Sequence, residues 1–108
     1  MIQKEFDDVV RIARARQDAL LATKGADYTR RAADRLVNFK TTATDVGVSP
    51  IQVWAVYASK HWNAIMTLVQ TGKVESEAIE GRLDDLCNYL YLLEGLLKER
   101  PQREDERD

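Results

Sequence analysis

The sequence has one cysteine, two prolines and no excess of positive charge in its 108 residues. Cys87 has no partner for a disulfide within the chain, which favours a reducing compartment such as the cytoplasm. The 16 basic and 18 acidic side chains give a net charge of -2, so no basic excess drives binding to nucleic-acid phosphates. No run approaches the roughly 18 consecutive apolar residues that cross a bilayer, and the N-terminus lacks the apolar segment of a signal peptide. We therefore expect neither a nucleic-acid partner nor a membrane partner.

The composition and the hydrophobic pattern indicate one helical domain. Hydrophobic residues make up 44% of the chain and charged residues 31%, as in globular proteins. Apolar residues recur every three to four positions, and no strand-like alternation interrupts them. The sequence thus predicts an all-α bundle of about four helices over residues 1–100. Residues 101–108 contain no apolar side chain and are expected to form a disordered, charged tail.

Local signals set the boundaries of the predicted helices. The first runs over residues 2–23 and is followed by a loop at 24–31, where Gly25 suits a helix C-cap. The second covers residues 32–45 and ends at Gly47. The third begins at Ser49-Pro50-Ile51-Gln52, a capping box with proline at the first helical position, and ends at Gly72. The fourth begins near Ser76 and ends near residue 100, before Pro101.

The fourth predicted helix carries a long apolar stripe. Its spacing alternates four and three residues, through Ile79, Leu83, Leu86, Leu90, Leu93 and Leu97. Leu92 and Leu96 widen it. This spacing is typical of a seam that packs against another helix, so the helix is either central to the monomer's core or shared with a second copy. We expect a homo-oligomer.

Acidic residues gather near the start of the same helix. Glu77, Glu80 and Asp84 are three and four residues apart, which places them on one face. One interpretation is a solvated first turn stabilised by the helix dipole, although that effect fades after about one turn and explains Asp84 poorly. The other is a site for a hard cation such as Mg²⁺, which prefers oxygen ligands.

Other polar residues are candidates for ligand binding. Lys60 and His61 interrupt the apolar pattern of the third helix; alternatively, the histidine is structural and the lysine reaches solvent. The wider candidate set also supplies cations, amides and rings, from Lys24, Asp27, Tyr28, Asn88 and Tyr89. Trp54 and Trp62 suit either base stacking or packing in the core or an oligomer. The chain has no phosphate-binding glycine loop, no paired cysteines and no H-E-x-x-H, so any site must be built from helix faces.

Short motifs resemble a known family. They are KGADY (24–28), DRLVNFK (34–40), QVW (52–54), KH (60–61), EAIEGR (77–82) and DDLCNY (84–89). Over roughly residues 22–97 the chain resembles the phage proteins called nucleotide modification associated domain 1, loosely grouped with MazG-like nucleotide pyrophosphohydrolases. The resemblance implies a nucleotide ligand and the cytoplasm of an infected bacterial host.

MazG-like enzymes hold Mg²⁺ on a nucleoside triphosphate with an E-x-x-E pair on one helix and an E-x-x-D pair on another. Glu77 and Glu80 match the first pair, and Asp84 or Asp85 stands for the later aspartate. The third helix has Lys60-His61-Trp62-Asn63-Ala64 where a second acidic pair is expected, so half of the metal cage is missing.

The resemblance leaves two nucleotide hypotheses. In a binding protein that sequesters a nucleotide or cyclic-nucleotide immune signal, Lys60, His61, Arg30 and Arg31 face phosphate. Tyr28, Trp62 or Tyr89 then stacks on the base, and Asp27 and Asn88 contact its polar edges. In a pyrophosphohydrolase, Glu77, Glu80 and Asp84 bind Mg²⁺, Lys24 and Lys60 neutralise phosphates, and His61 or a carboxylate positions water. A third hypothesis is a non-catalytic helical interaction module that pairs through the leucine seam, the stripe of Ile79, Leu83, Leu86, Leu90, Leu93 and Leu97.

Overall fold

The computed structural model describes the backbone of residues 1–29, 34–73 and 79–100, and the side chains of these ranges except 24–29. These residues form four α-helices and no strand: α1 (Gln3–Thr29), α2 (Val37–Val46), α3 (Pro50–Thr71) and α4 (Ile79–Glu99). The all-α prediction is confirmed. Within the described ranges no helix is both long enough and apolar enough to span a membrane.

The C-termini of α2 and α3 and the N-terminus of α3 follow the local sequence signals. Gly47 and Gly72 close the two helices in the left-handed conformation, with φ values of 82° and 74°. At the start of α3 the Ser49 hydroxyl accepts a hydrogen bond from the Gln52 amide, and the Gln52 side chain accepts one from the Ser49 amide. The predicted capping box is therefore confirmed.

Two predicted boundaries are wrong. Helix α1 continues through Gly25 to Thr29, so positions 24–29 are helical rather than a loop. One mid-helix glycine costs only about 1 kcal/mol relative to alanine, which a long helix tolerates. Helix α2 begins at Val37, later than predicted, because an Asp34 carboxylate oxygen accepts the Leu36 amide at 2.9 Å and holds a turn there.

The apolar core lies where α2, α3 and α4 meet. It contains Leu36, Phe39, Ala43, Val53 and Leu96, each less than a tenth exposed. Phe39 contacts the ring of Tyr57 at a centroid distance of 6.0 Å and the ring of Tyr89 at 6.2 Å. The indole N–H of Trp54 donates to the Tyr89 carbonyl at 2.6 Å, which places this tryptophan against the core.

Helix α4 has apolar core residues on one side, buried polar residues on a second and exposed leucines on a third. Leu92 and Leu96 lie on its core side, apart from the six residues of the stripe that they were predicted to widen. Asp84 and Asn88, one turn apart, are buried. In the described part of the chain, α1 contacts α4 alone. The leucine seam lies mostly outside the core, since Leu83, Leu90 and Leu97 are all exposed.

Candidate ligand-binding cleft

A partly buried ion pair joins α1 to α4. Arg16 Nε donates to Asp84 Oδ2 at 2.6 Å, and Arg16 Nη2 donates to Asp84 Oδ1 at 3.1 Å. Gln17 adds a third, longer hydrogen bond to Oδ1 at 3.3 Å. The Asp84 side chain is 6% exposed and that of Arg16 is 36% exposed. The bidentate geometry fixes the orientation of α1 on α4, because two parallel donors leave the carboxylate little rotational freedom.

The ion pair keeps Asp84 charged. The hydrogen bonds from Arg16 lower the pKa of Asp84 below its ordinary value, against the burial that opposes ionisation, and the Gln17 amide adds to the lowering. The same contact raises the pKa of Arg16. Asp84 is therefore a carboxylate at neutral pH whose two oxygens are engaged by α1.

Asn88 is the next residue on this side of α4. It is 4% exposed, and its Oδ1 accepts no hydrogen bond from any residue in the described ranges. A buried amide oxygen without a donor costs about 1–3 kcal/mol, so such a group needs an explanation. Asparagine can turn its amide about the terminal bond, which presents either the oxygen or the NH₂ group on a given side.

Asn88 lines an open cleft of about 650 Å³. The walls come from α1, from the turn before α2 and from α4, and they are formed by Leu21, Asp34, Arg35, Leu36, Asn88, Tyr91, Leu92, Gly95 and Glu99. The volume lies in the range of small-molecule sites, which extends from about 300 to 1,000 Å³. At Gly95 an added Cβ would meet Leu36 Cδ1 at 3.5 Å, an ordinary contact, so this glycine only widens the cleft slightly.

Lys40 bridges the two carboxylates at the rim of the cleft, those of Asp34 and Glu99. Its ammonium contacts Asp34 Oδ2 at 2.7 Å and Glu99 Oε2 at 2.6 Å, which ties the start of α2 to the end of α4. The hydrogen bond from Lys40, with that of the Leu36 amide, lowers the pKa of Asp34. The two carboxylates in turn raise the pKa of Lys40. Both rim carboxylates thus share the Lys40 ammonium, and Arg35 is the cation among the lining residues.

The cleft combines three kinds of recognition. Leu21, Leu36 and Leu92 give it apolar walls, and Tyr91 offers a ring that is 56% exposed. Asn88 offers an amide that can pair with a polar ring edge, and Arg35 offers a cation. This arrangement suits a planar polar ring that carries an anionic group.

The predicted ligand residues of α3 lie elsewhere. His61 Nδ1 is 3.8 Å from Asp85 Oδ2, and its ring lies 4.8 Å from that of Tyr89. Lys60 is exposed, and none of these four residues lines the cleft. The structure therefore divides the predicted set between two sides of α4, with Asn88 in the cleft and His61 and Tyr89 at the contact with α3.

Several predicted site residues lie outside what the structure describes. The backbone of Lys24, Asp27 and Tyr28 is helical, but their side chains are not described. Arg30, Arg31 and Glu77 lie outside the described ranges altogether. Their predicted roles remain predictions.

The Mg²⁺ prediction is also untested. Glu80 is exposed at the start of α4, whereas Asp84 is buried against Arg16. Among the described side chains no three histidine, cysteine, aspartate or glutamate residues gather as metal ligands, and Glu77 is not among those side chains.

Sequence reasoning missed most of the residues that line the cleft, and it also missed Arg16, the partner of Asp84. Arg16 could have been found from the sequence, since it follows Phe6, Val9 and Ala13 at helical spacing and is a cation within an apolar stripe. Such a position indicates a buried acidic partner. Arg35 and Tyr91 carry no comparable signal, because their role depends on how α1 and the turn before α2 lie against α4.

No protein-family model matches the chain, and neither a curated protein nor a solved structure matches it.

Proposed function

We propose that the chain binds a small anionic ligand of the nucleotide class in the cleft formed by α1, α4 and the turn before α2, without turning it over. The observation that carries the proposal is Asn88, a buried amide whose oxygen has no hydrogen-bond donor among the described residues, at the wall of the cleft. A ligand with a polar ring edge would satisfy this amide. The resemblance at the sequence level implies the same ligand class.

Arg35 is the cation of the lining that an anionic group on that ligand would approach. The two carboxylates of the lining, Asp34 and Glu99, both contact Lys40. The exposed ring of Tyr91 offers a surface on which a base can stack. The carboxylates of Asp34 and Glu99 are engaged by Lys40, so the ligand's orientation would depend mainly on Asn88.

The state of Asp84 favours binding over hydrolysis. A carboxylate that ligates Mg²⁺ must present an oxygen to the metal, and both oxygens of Asp84 accept hydrogen bonds from α1. Arg16 would have to withdraw before Asp84 could act in a metal site. Sequestration of a nucleotide signal requires no such rearrangement.

Isothermal titration calorimetry and thermal-shift measurements test the proposal. The purified chain is titrated with nucleoside mono- and triphosphates and with cyclic mono- and dinucleotides, each with and without Mg²⁺. We expect saturable binding of at least one of these without release of phosphate or pyrophosphate. Released product would support the hydrolase instead, and absence of binding across the panel would refute the proposal.

Two substitutions locate the binding site. Asn88→Leu keeps the approximate volume and removes the amide, and we expect it to weaken binding at least tenfold, as loss of hydrogen bonds worth about 1.4 kcal/mol does. Asn63→Leu makes the same change at an exposed position of α3 and should leave affinity unchanged. Equal affinities of the two variants would exclude the cleft.

A further inference from the structure

Six apolar residues of α4 form a face that the described helices leave largely uncovered. This leucine seam consists of Ile79, Leu83, Leu86, Leu90, Leu93 and Leu97. Leu83 and Leu97 are each 42% exposed and Leu90 is 51% exposed, while the other three are partly exposed. The spacing of four and three residues is that of helices that pair along their length. A helix that packed only within its own chain would turn these positions towards the core.

The described helices bury few hydrophobic side chains. Only six hydrophobic residues in the described ranges are buried, and no large side chain there is fully buried. A stable dimer interface takes about 800 Å² from each partner, and the exposed leucines of the seam lie on the surface from which that area would come.

We propose that the leucine seam binds the same seam of a second copy of this chain, which makes the protein a homodimer. The seam is self-complementary in the antiparallel direction. A two-fold axis at the level of Asn88 would pair Ile79 with Leu97, Leu83 with Leu93 and Leu86 with Leu90, so that every layer is apolar on both sides. No charged residue occupies a seam position. The net charge of -2 per chain gives little repulsion between copies.

The mass of the purified protein, measured by sedimentation equilibrium over a wide concentration range, tests the proposal directly. We expect twice the 12.3 kDa of one chain. A mass of one chain at every concentration would overturn the proposal, and it would leave the seam to a partner of another kind. Because this measurement uses the unaltered chain, it does not depend on whether a variant folds.

Matched substitutions then assign the interface. Leu90→Glu places a carboxylate at the centre of the seam in both copies, and we expect it to raise the dimer dissociation constant at least a hundredfold while helicity by circular dichroism is retained. Leu97→Glu makes the change in the last turns of α4, where local fraying limits any effect on the fold. Val56→Glu is the control, since Val56 is 67% exposed on α3.

The outcomes are distinct. Dissociation of the Leu90→Glu or Leu97→Glu variant with an intact Val56→Glu dimer supports the seam. A dimer that survives both seam substitutions would overturn the assignment, as would a Val56→Glu variant that dissociates while it remains helical. Nucleotide binding is not measured in this experiment, so it fails or succeeds independently of the proposed function.

Discussion

Helix α4 holds its neighbours by two different kinds of contact. Towards α2 and α3 it contributes to an apolar core around Phe39 and Leu96. Towards α1 its buried residues are polar, and the contact depends on the ion pair of Arg16 with Asp84. Apolar burial is non-directional and tolerates small shifts, whereas a buried ion pair fails once one partner is lost. The comparison indicates that α1 can detach while the other three helices stay together, and the cleft lies at that weaker contact.

The largest effect is expected in the core. Phe39→Ala should lower the free energy of unfolding by about 3–5 kcal/mol, because it removes a buried ring and leaves a cavity between α2, α3 and α4. Urea denaturation followed by circular dichroism measures the loss. Val46→Ala, at a position of α2 that is 67% exposed, is the control and should change stability little. A loss under 1 kcal/mol for Phe39→Ala would place the core elsewhere.

A more local effect is expected at the ion pair. Arg16→Met leaves the Asp84 carboxylate buried without its main donor, so α1 should separate from α4. Hydrogen exchange should then accelerate in α1 much more than in α2 and α3. The exposed Arg14 gives the matched control, Arg14→Met, which should leave exchange unchanged. Uniform acceleration throughout the chain would show that α1 and the core form one cooperative unit.

Acid should reproduce the release of α1 in the unaltered chain. The folded state holds the pKa of Asp84 below the ordinary aspartate value of about 3.9, so the ionised pair contributes its full stability above that value. The contribution is lost as the pH falls from about 4 through the lower folded pKa. Asp34 also has a lowered pKa and weakens the α2 end in the same range. The hydrogen-exchange rate of α1, measured as a function of pH, should rise as the ion pair is lost. The Arg16→Met variant should show no such rise.

The smallest effect has the opposite sign. Asn88→Leu should raise the free energy of unfolding of the ligand-free chain by about 1 kcal/mol, because it removes a buried amide oxygen that no described residue satisfies. Denaturant titration of this variant beside Asn63→Leu measures the difference. A gain in stability with a loss of ligand binding is what a residue kept for function shows. Destabilisation by Asn88→Leu would indicate a structural role for the amide.

Features that depend on neighbouring residues could be predicted from the sequence, and those that depend on contacts between distant helices could not. The C-terminal end of α2 and the start of α3 depend on neighbouring residues, so Gly47, Ser49 and Gln52 predicted them correctly. The end of α1 depends on no strong local signal, and Gly25 misled the prediction there. The partner of Asp84 lies 68 positions away in the chain, a separation that no local pattern encodes. The cleft was missed because it forms only where α1 and the turn before α2 lie beside α4.

The connection between α2 and α3 consists only of Gly47, Val48 and Ser49, and its shortness influences the order in which the chain folds. Closing so short a connection costs little entropy, and both of its ends are specified by their own caps. The contact between Arg16 and Asp84 must instead close a loop that includes both of these helices. We therefore expect the α2–α3 hairpin to form early and α1 to dock last, so that the cleft is completed in the final step of folding.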